Sequence, residues 1–196
     1  MELLDARRSV LVVIDYQGRL MEMVEQPARI VAVAKRLLRL AGMFEVPVVL
    51  TEQYPKGLGP THPEIRAAFD ALATPKRYLD KTAFGCAGDP AFLRLLDEVR
   101  PRTGEAPRQI VVAGIEAHVC VMQTVIELLR AGEQVHLAWD AVSGRGAEYV
   151  RHALGRMATA GAVMTNHESV GFEWMRDKKD PRFREMSDLF KGGQPA

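Results

Sequence analysis

The chain has 196 residues, of which 47% are apolar and 26% are charged, and its formal net charge at pH 7 is +1. This length is sufficient for one sizeable core, and the charge balance gives no argument for nucleic acid or an anionic membrane as a partner. No apolar run approaches the roughly 18–20 residues that a membrane-spanning helix needs.

Strand and helix patterns alternate along the chain. Short apolar runs predict strands at residues 9–15, 46–51, 77–79, 109–113, 134–140 and 162–165. Apolar residues at helical spacing predict helices at residues 27–40, 64–72, 89–99, 147–160 and 181–190, and a further helix that ends near residue 130. Gly42 is expected to close the helix at 27–40.

This alternation predicts an α/β fold with a doubly wound, Rossmann-like parallel sheet and helices on both faces. We expect one domain at residues 1–190 and a disordered tail at residues 191–196. The helix at 181–190 is expected to pack on the domain or on a neighbouring subunit.

The cysteines and the N-terminal sequence bear on the cellular compartment. The two cysteines, Cys86 and Cys120, lack the spacing of zinc ligands. The first residues enter an apolar strand almost at once and show no secretory signal pattern. We therefore expect a cytoplasmic location and no structural disulfide.

Cys120 is the most informative residue of the chain because it follows a buried strand and opens a helix. The first turn of a helix presents unpaired N–H groups and the positive end of the helix dipole. Both favour the thiolate, which is the nucleophilic form of cysteine. Taken alone, such a cysteine is more often a small buried hydrophobe.

Two further reactive residues are predicted at the same edge of the sheet. Asp15 ends the first strand, and Lys81 follows the predicted strand at 77–79. Parallel strands bring their carboxyl ends together, and ligands bind there. Asp15 could act as the acid/base and Lys81 could organise the charges. Separately, Asp15 could cap a turn and Lys81 could be a solvated lysine, but their joint occurrence with Cys120 favours a shared site.

At these three positions the chain resembles the isochorismatase-like cysteine hydrolase superfamily, which includes nicotinamidases and N-carbamoylsarcosine amidases. The matching stretches are VLVVIDYQGRLM, YLDKTAFG and VVAGIEAHVCVMQT. The resemblance implies an Asp15, Lys81 and Cys120 triad that works through a thioester intermediate. It also implies a cis peptide bond between Ile115 and Glu116, which would turn the N–H groups of Glu116 and Cys120 toward the substrate oxygen as an oxyanion hole.

Two departures from the family narrow the expected activity. Nicotinamidases carry an Asp-x-His pair and a further His that bind a metal, whereas here His62 stands alone in TEQYPKGLGPTHPE. We therefore expect no metal and no cofactor, and nicotinamide is a poor substrate candidate. Isochorismatases proper lack the cysteine, so Cys120 favours carbonyl chemistry over vinyl ether cleavage.

The substrate pocket is predicted from residues that follow strand ends or flank the triad. Tyr16 and Gln53 follow strand ends, Phe84 lies just beyond Lys81, and His118 precedes Cys120 by two residues. Phe84 could form an apolar wall, and His118 could polarise the substrate.

The sequence thus predicts a metal-independent hydrolase that acts on a small-molecule amide, carbamoyl or related C–N bond. The alternatives are an isochorismatase-type vinyl ether hydrolase and a non-catalytic binding or scaffold module. The resemblance also implies a homo-oligomer, a dimer or higher, for which Phe183, Met186, Leu189 and Phe190 could anchor a partner subunit. Nucleic-acid and membrane partners are not expected.

Overall fold

The structure is a computed structural model and describes residues 2–99, 103 and 108–191. Six strands form one parallel sheet in the order β3-β2-β1-β4-β5-β6. The strands are β1 (Ser9–Ile14), β2 (Val48–Gln53), β3 (Lys76–Lys81), β4 (Gln109–Ile115), β5 (Gln134–Ser143) and β6 (Val163–Thr165). The prediction of an α/β fold with a doubly wound parallel sheet is confirmed.

Helices follow the strands as parallel crossovers require. They are α1 (Gly18–Met21), α2 (Pro27–Phe44), α3 (Pro55–Leu58), α4 (Pro63–Asp70), α5 (Pro90–Glu98), α6 (Met122–Arg130), α7 (Ala147–Thr159), α8 (His167–Met175) and α9 (Phe183–Lys191). A π-helical turn, Ala117–Val121, joins β4 to α6.

Both faces of the sheet are covered by helices, as the unbroken apolar runs of the strands predict. In β1, Leu11 and Val13 pack with α2, α4, α8 and α9 on one face. Val10, Val12 and Ile14 pack with α5, α6 and α7 on the other face. Successive side chains of a strand point to opposite faces, so each central strand contributes to two cores.

The strand order changes direction between β1 and β4, which are neighbours in the sheet. Such a switch point leaves a crevice outside the carboxyl ends of the strands, where ligands of open α/β sheets bind. The site predicted from Asp15 and Cys120 belongs to this crevice, because Asp15 follows β1 and Cys120 lies in the turn after β4.

Several element bounds differ from the prediction. Helix α2 runs through Gly42 and ends at Phe44, where Glu45 adopts a left-handed conformation with φ 56°. Gly42 packs against Leu72 instead, and a Cβ there would lie 3.2 Å from the Leu72 side chain, so this leucine would have to shift slightly. Strands β3 and β5 are longer than predicted, and α1, α3 and α8 were not predicted.

Helix α9 packs on its own chain, which is one of the two arrangements expected for this segment. Met186 is fully buried, and the partly buried Phe183, Leu189 and Phe190 pack against the same core. Their role as anchors for a partner subunit stays a prediction. The predicted tail lies outside the described residues except for Lys191, which ends α9.

None of the helices in the described part of the chain combines the length and the hydropathy required to cross a membrane.

Candidate active site

Asp15 lies at the end of β1 in a left-handed conformation, with φ 53°. Strand alternation alone would place Asp15 on the face of Leu11 and Val13, but the left-handed backbone breaks that alternation. The carboxylate instead faces β2 and β3, where it contacts Thr51 and Lys81, and it is fully buried.

The Lys81 ammonium lies in an interior cradle of oxygen atoms. Four oxygen atoms share the three N–H donors of its Nζ. They are Asp15 Oδ2 at 2.7 Å, Gln53 Oε1 at 2.8 Å, and the carbonyls of Ala83 and Phe84 at 3.1 and 3.2 Å. Burial is the largest single influence on the pKa of Lys81 and lowers it, but the charge of Asp15, the two cysteines and the hydrogen bond to Asp15 together raise the pKa overall. The lysine therefore stays charged, and the buried ion pair is neutral as a unit.

Thr51 and Gln53 of β2 complete the surroundings of the ion pair. Thr51 Oγ1 donates to Asp15 Oδ1 at 2.7 Å. Gln53 Nε2 donates to the carbonyl of Thr82 at 2.7 Å, and Gln17 holds the Gln53 backbone by hydrogen bonds of 2.6 and 3.0 Å. Thr51 and Gln17 were missed in the sequence. The period-two spacing of Val49, Thr51 and Gln53 was a usable signal for Thr51, whereas Gln17 had none.

Cys120 lies in the π-helical turn after β4, and 4% of its surface is exposed. Burial raises the pKa of its thiol, and the charge of Asp15 and a hydrogen bond to that carboxylate raise it further. Lys81 opposes this shift without reversing it. The expectation of a thiolate stabilised by the helix start is therefore wrong for the unliganded protein, because desolvation and the adjacent carboxylate dominate.

Cys86 places a second thiol beside the same carboxylate. Its Sγ lies 3.9 Å from Thr51 Oγ1, and burial raises its pKa to about 12. The Cys86 N–H donates to Thr124 Oγ1 at 2.9 Å, and Thr124 in turn donates to the carbonyl of Cys120 at 2.7 Å. The loop that follows Lys81 is thereby tied to the segment that carries Cys120.

The peptide bond between Ile115 and Glu116 is cis, at the position that the resemblance implied. It lies between β4 and the π-helical turn, in which the Val121 N–H donates to the Glu116 carbonyl at 3.2 Å. The Glu116 carboxylate accepts a hydrogen bond of 2.6 Å from Arg145 Nε.

Two of the four predicted pocket residues, Gln53 and Phe84, contact this cluster, and the place of His118 in the pocket stays a prediction. Gln53 contacts Lys81 directly, while the Phe84 ring is exposed and its carbonyl accepts from Lys81. The His118 ring stacks on Tyr149 with centroids 5.0 Å apart, and its Nδ1 is buried without a hydrogen-bond partner.

The placement of Tyr16 in the pocket is wrong. Its side chain is buried in the core on the α2 face, and its hydroxyl donates to the carbonyl of Ala141 in β5. The left-handed backbone at Asp15 explains this as well, because it exchanges the faces of the sheet that strand alternation would give to Asp15 and to Tyr16.

Within residues 2–99, 103 and 108–191, no three His, Cys, Asp or Glu side chains are grouped so that they could hold a metal ion. The arrangement that the structure does contain is a chain of three groups, an ammonium, a carboxylate and a thiol. A carboxylate between an ammonium and a thiol can accept the thiol proton and later return a proton to a leaving group.

The family model described as "Isochorismatase domain" matches residues 9–169 of the chain. Isochorismatase domain-containing protein 2 of Pongo abelii is 39% identical over 187 residues, which cover 95% of this chain and 85% of that protein. The structure of the MAR1 ribonuclease from Caenorhabditis elegans is 32% identical with a TM-score of 0.88, covering 100% of this chain and 95% of that one. YcaC from Pseudomonas aeruginosa, solved with hexane-2,5-diol and covalent acrylamide, is 25% identical with a TM-score of 0.87, covering 99% and 93%.

Proposed function

The chain belongs to the isochorismatase family, and we propose that it is a cysteine-dependent hydrolase that cleaves a small amide, carbamoyl or related C–N bond. The observation that carries this proposal is the buried Asp15 carboxylate, which is bound by Lys81 Nζ at 2.7 Å and whose charge raises the pKa of the Cys120 thiol. Burying a charge pair costs several kcal/mol of desolvation, so such a pair beside a nucleophile supports a chemical role.

Asp15 acts as the general base in the first step. It takes the Cys120 proton as Sγ attacks the carbonyl carbon, and the carbonyl oxygen becomes an oxyanion. The N–H groups of Glu116 and Cys120 are the proposed donors to that oxyanion. Asp15 then gives its proton to the departing nitrogen, which leaves a thioester on Cys120.

Water completes the cycle. Asp15 takes a proton from water as the water oxygen attacks the thioester, and the Cys120 thiol is released with that proton. The product is the carboxylic or carbamic acid. Lys81 remains an ammonium throughout, so it keeps Asp15 ionised at the start of each half-reaction.

Gln53, Phe84 and His118 are the proposed substrate contacts. The exposed Phe84 ring supplies apolar surface, and the unpartnered His118 Nδ1 offers a polar group two residues from the nucleophile.

Two other activities are less compatible with this site. Vinyl ether hydrolysis gives no role to a thiol that is hydrogen-bonded to the base. The Caenorhabditis elegans protein is described as a ribonuclease, but phosphodiester cleavage requires a cation that can reach a phosphate. Lys81 is buried and already donates to four oxygen atoms.

The decisive experiment is an activity screen of the wild type against Cys120→Ala. Ammonia release is measured from primary amides and N-carbamoyl amino acids, with isochorismate and an RNA oligonucleotide assayed in parallel. We expect ammonia release that falls at least about 10³-fold in Cys120→Ala, with an unchanged circular dichroism spectrum. Equal turnover by Cys120→Ala would contradict the mechanism. Binding of amides without turnover in the wild type would favour a binding module.

A cytoplasmic location and a homo-oligomer, a dimer or higher, remain predictions. Exposed aromatic residues such as Trp139 and Phe172 are further candidates for a subunit contact. Multi-angle light scattering that finds a monomer at micromolar concentration would exclude a stable oligomer.

A further inference from the structure

We propose that Thr51, with the Cys86 thiol behind it, is a positioning pair that fixes the orientation of the Asp15 carboxylate. The inference rests on the proposed function, since it assigns what holds the base of that reaction in place. Neither residue contacts the bond to be cleaved, so both act through Asp15.

The geometry determines the direction of each hydrogen bond. An ionised carboxylate has no proton to donate, so the Thr51 hydroxyl must be the donor in its 2.7 Å contact with Asp15 Oδ1. The hydroxyl has lone pairs left, and Cys86 Sγ lies 3.9 Å from the same oxygen. Burial holds Cys86 in its protonated form, so its S–H can donate to Thr51. The result is a one-way chain from Cys86 through Thr51 to Asp15.

The two carboxylate oxygens therefore have different partners. Oδ1 is bound by Thr51 and Oδ2 by Lys81, at 2.7 Å each. Two fixed donors set the plane of the carboxylate, and the thiol of Cys120 finds an acceptor already in place. Because Asp15, Thr51 and Lys81 are all buried, water cannot replace a donor that is removed.

A carboxylate held at only one oxygen can turn about that contact, whereas one held at both oxygens cannot. Removing the Thr51 hydroxyl leaves Oδ1 without this donor, so the carboxylate loses its fixed orientation.

The position of Cys86 is set by contacts of its own. Its backbone N–H is bound by Thr124 at 2.9 Å, and two residues later the Gly88 N–H donates to Glu127 at 2.9 Å. A Cβ at Gly85 would lie 2.3 Å from the Glu127 carboxylate, so this carboxylate packs directly against the loop at that glycine. These contacts hold the thiol against Thr51.

The test uses iodoacetamide alkylation of Cys120 at neutral pH, read by peptide mass spectrometry, because it needs no substrate. In the proposed mechanism Asp15 takes the thiol proton, so the wild type should react faster than Asp15→Asn. Thr51→Val keeps the shape of the side chain and loses the donor, so the rate should fall about tenfold. Thr51→Ser should restore the wild-type rate, and Cys86→Ala should give a smaller fall.

The matched control is Thr74→Val. Thr74 is also buried, and its hydroxyl donates at 3.0 Å to the carbonyl of Val46 at the amino end of the sheet. This variant should lose stability as Thr51→Val does, while Cys120 is alkylated at the wild-type rate.

The outcomes separate the inference from the proposed function. A wild type that reacts no faster than Asp15→Asn would show that Asp15 is not the base for Cys120, and the proposed mechanism would fall with it. A wild type that reacts faster than Asp15→Asn but no faster than Thr51→Val would overturn the positioning role alone. A rate that falls in Thr51→Val and not in Cys86→Ala would remove Cys86 from the pair.

Discussion

At the scale of single residues, the protonation state of Cys120 determines how the nucleophile is formed. Burial and the Asp15 carboxylate both raise the pKa of the thiol, whereas Lys81 lowers it by less. The start of a helix offers a stabilisation of at most about 2 kcal/mol, and desolvation of a buried charge exceeds that. The structure therefore supports proton transfer to Asp15 during attack, in place of a thiolate that exists beforehand.

This arrangement predicts that Asp15→Asn lowers both reactivity and turnover. Without the carboxylate no group takes the Cys120 proton, so iodoacetamide alkylation at neutral pH should become several-fold slower. Amide hydrolysis should fall at least about 10³-fold, because no group takes and returns the proton. Alkylation at the wild-type rate would argue against Asp15 as the base for the thiol.

Cys86 provides an internal control for that experiment. It is fully buried and its pKa lies at about 12, so its peptide should remain unlabelled in the folded wild type. Labelling of both cysteines in Asp15→Asn would indicate loss of the fold, and the comparison with turnover would then not hold.

At the scale of elements, the close approach of β1 and β4 brings the base and the nucleophile together. Gly114 lies near the end of β4, has φ 155°, and pairs with Ile14 in the register of the two strands. A Cβ at Gly114 would lie 2.5 Å from both the Cβ and the carbonyl oxygen of Ile14. No side chain fits between β1 and β4 where Gly114 faces Ile14, the residue that precedes Asp15.

Gly114→Ala should therefore separate β1 from β4 and destabilise the protein by more than about 2 kcal/mol. The control is Gly155→Ala in α7, where a Cβ meets no atom within 4 Å. That change should stabilise the protein by about 0.5–1 kcal/mol, because alanine has the higher helix propensity. Chemical denaturation measures both, and a Gly114→Ala protein as stable as the wild type would contradict the packing argument.

At the scale of the whole molecule, the buried thiols connect the active site to the pH dependence of stability. Cys86 and Cys120 stay protonated in the folded protein above the pH at which they ionise in the unfolded chain, about 8.5. A group whose folded pKa is raised contributes stability that is present below its unfolded pKa. That stability is lost as the pH rises further, because the unfolded state then binds fewer protons than the folded state.

The free energy of unfolding should accordingly fall between pH 8.5 and 10, by up to about 1.4 kcal/mol per pH unit for each thiol. Cys120→Ala removes one of the two groups and should reduce the slope by about half. Urea denaturation at closely spaced pH values measures this slope. An unchanged slope in Cys120→Ala would mean that this thiol is not held in its protonated form.

The strand and helix pattern, and with it the fold class, was predictable because local periodicity encodes it. Residues 9–14, buried on both faces, predicted a central parallel strand, and Asp89-Pro90 marked the start of α5. The end of α2 was mispredicted because Gly42 lies inside the helix, where it packs against Leu72, a residue 30 positions away. Contacts of that kind leave no local signal.

The three reactive residues were predictable as well, since Asp15 follows β1, Lys81 ends β3 and Cys120 lies in the turn after β4. Parallel strands place those ends together. The same reasoning could have identified Thr51, because it lies two residues from Gln53 in the strand and points to the same face of the sheet.

What the sequence by itself determined is therefore the order of the elements and the set of reactive groups at one edge of the sheet. The tertiary structure alone decided where Asp15 and Tyr16 point, because a left-handed residue at the end of β1 exchanges the faces of the two side chains. It also decided the protonation state of Cys120, which depends on burial and on a carboxylate 105 residues away in the chain. Desolvation and Coulomb interactions are properties of the three-dimensional neighbourhood, and a local sequence pattern does not contain them.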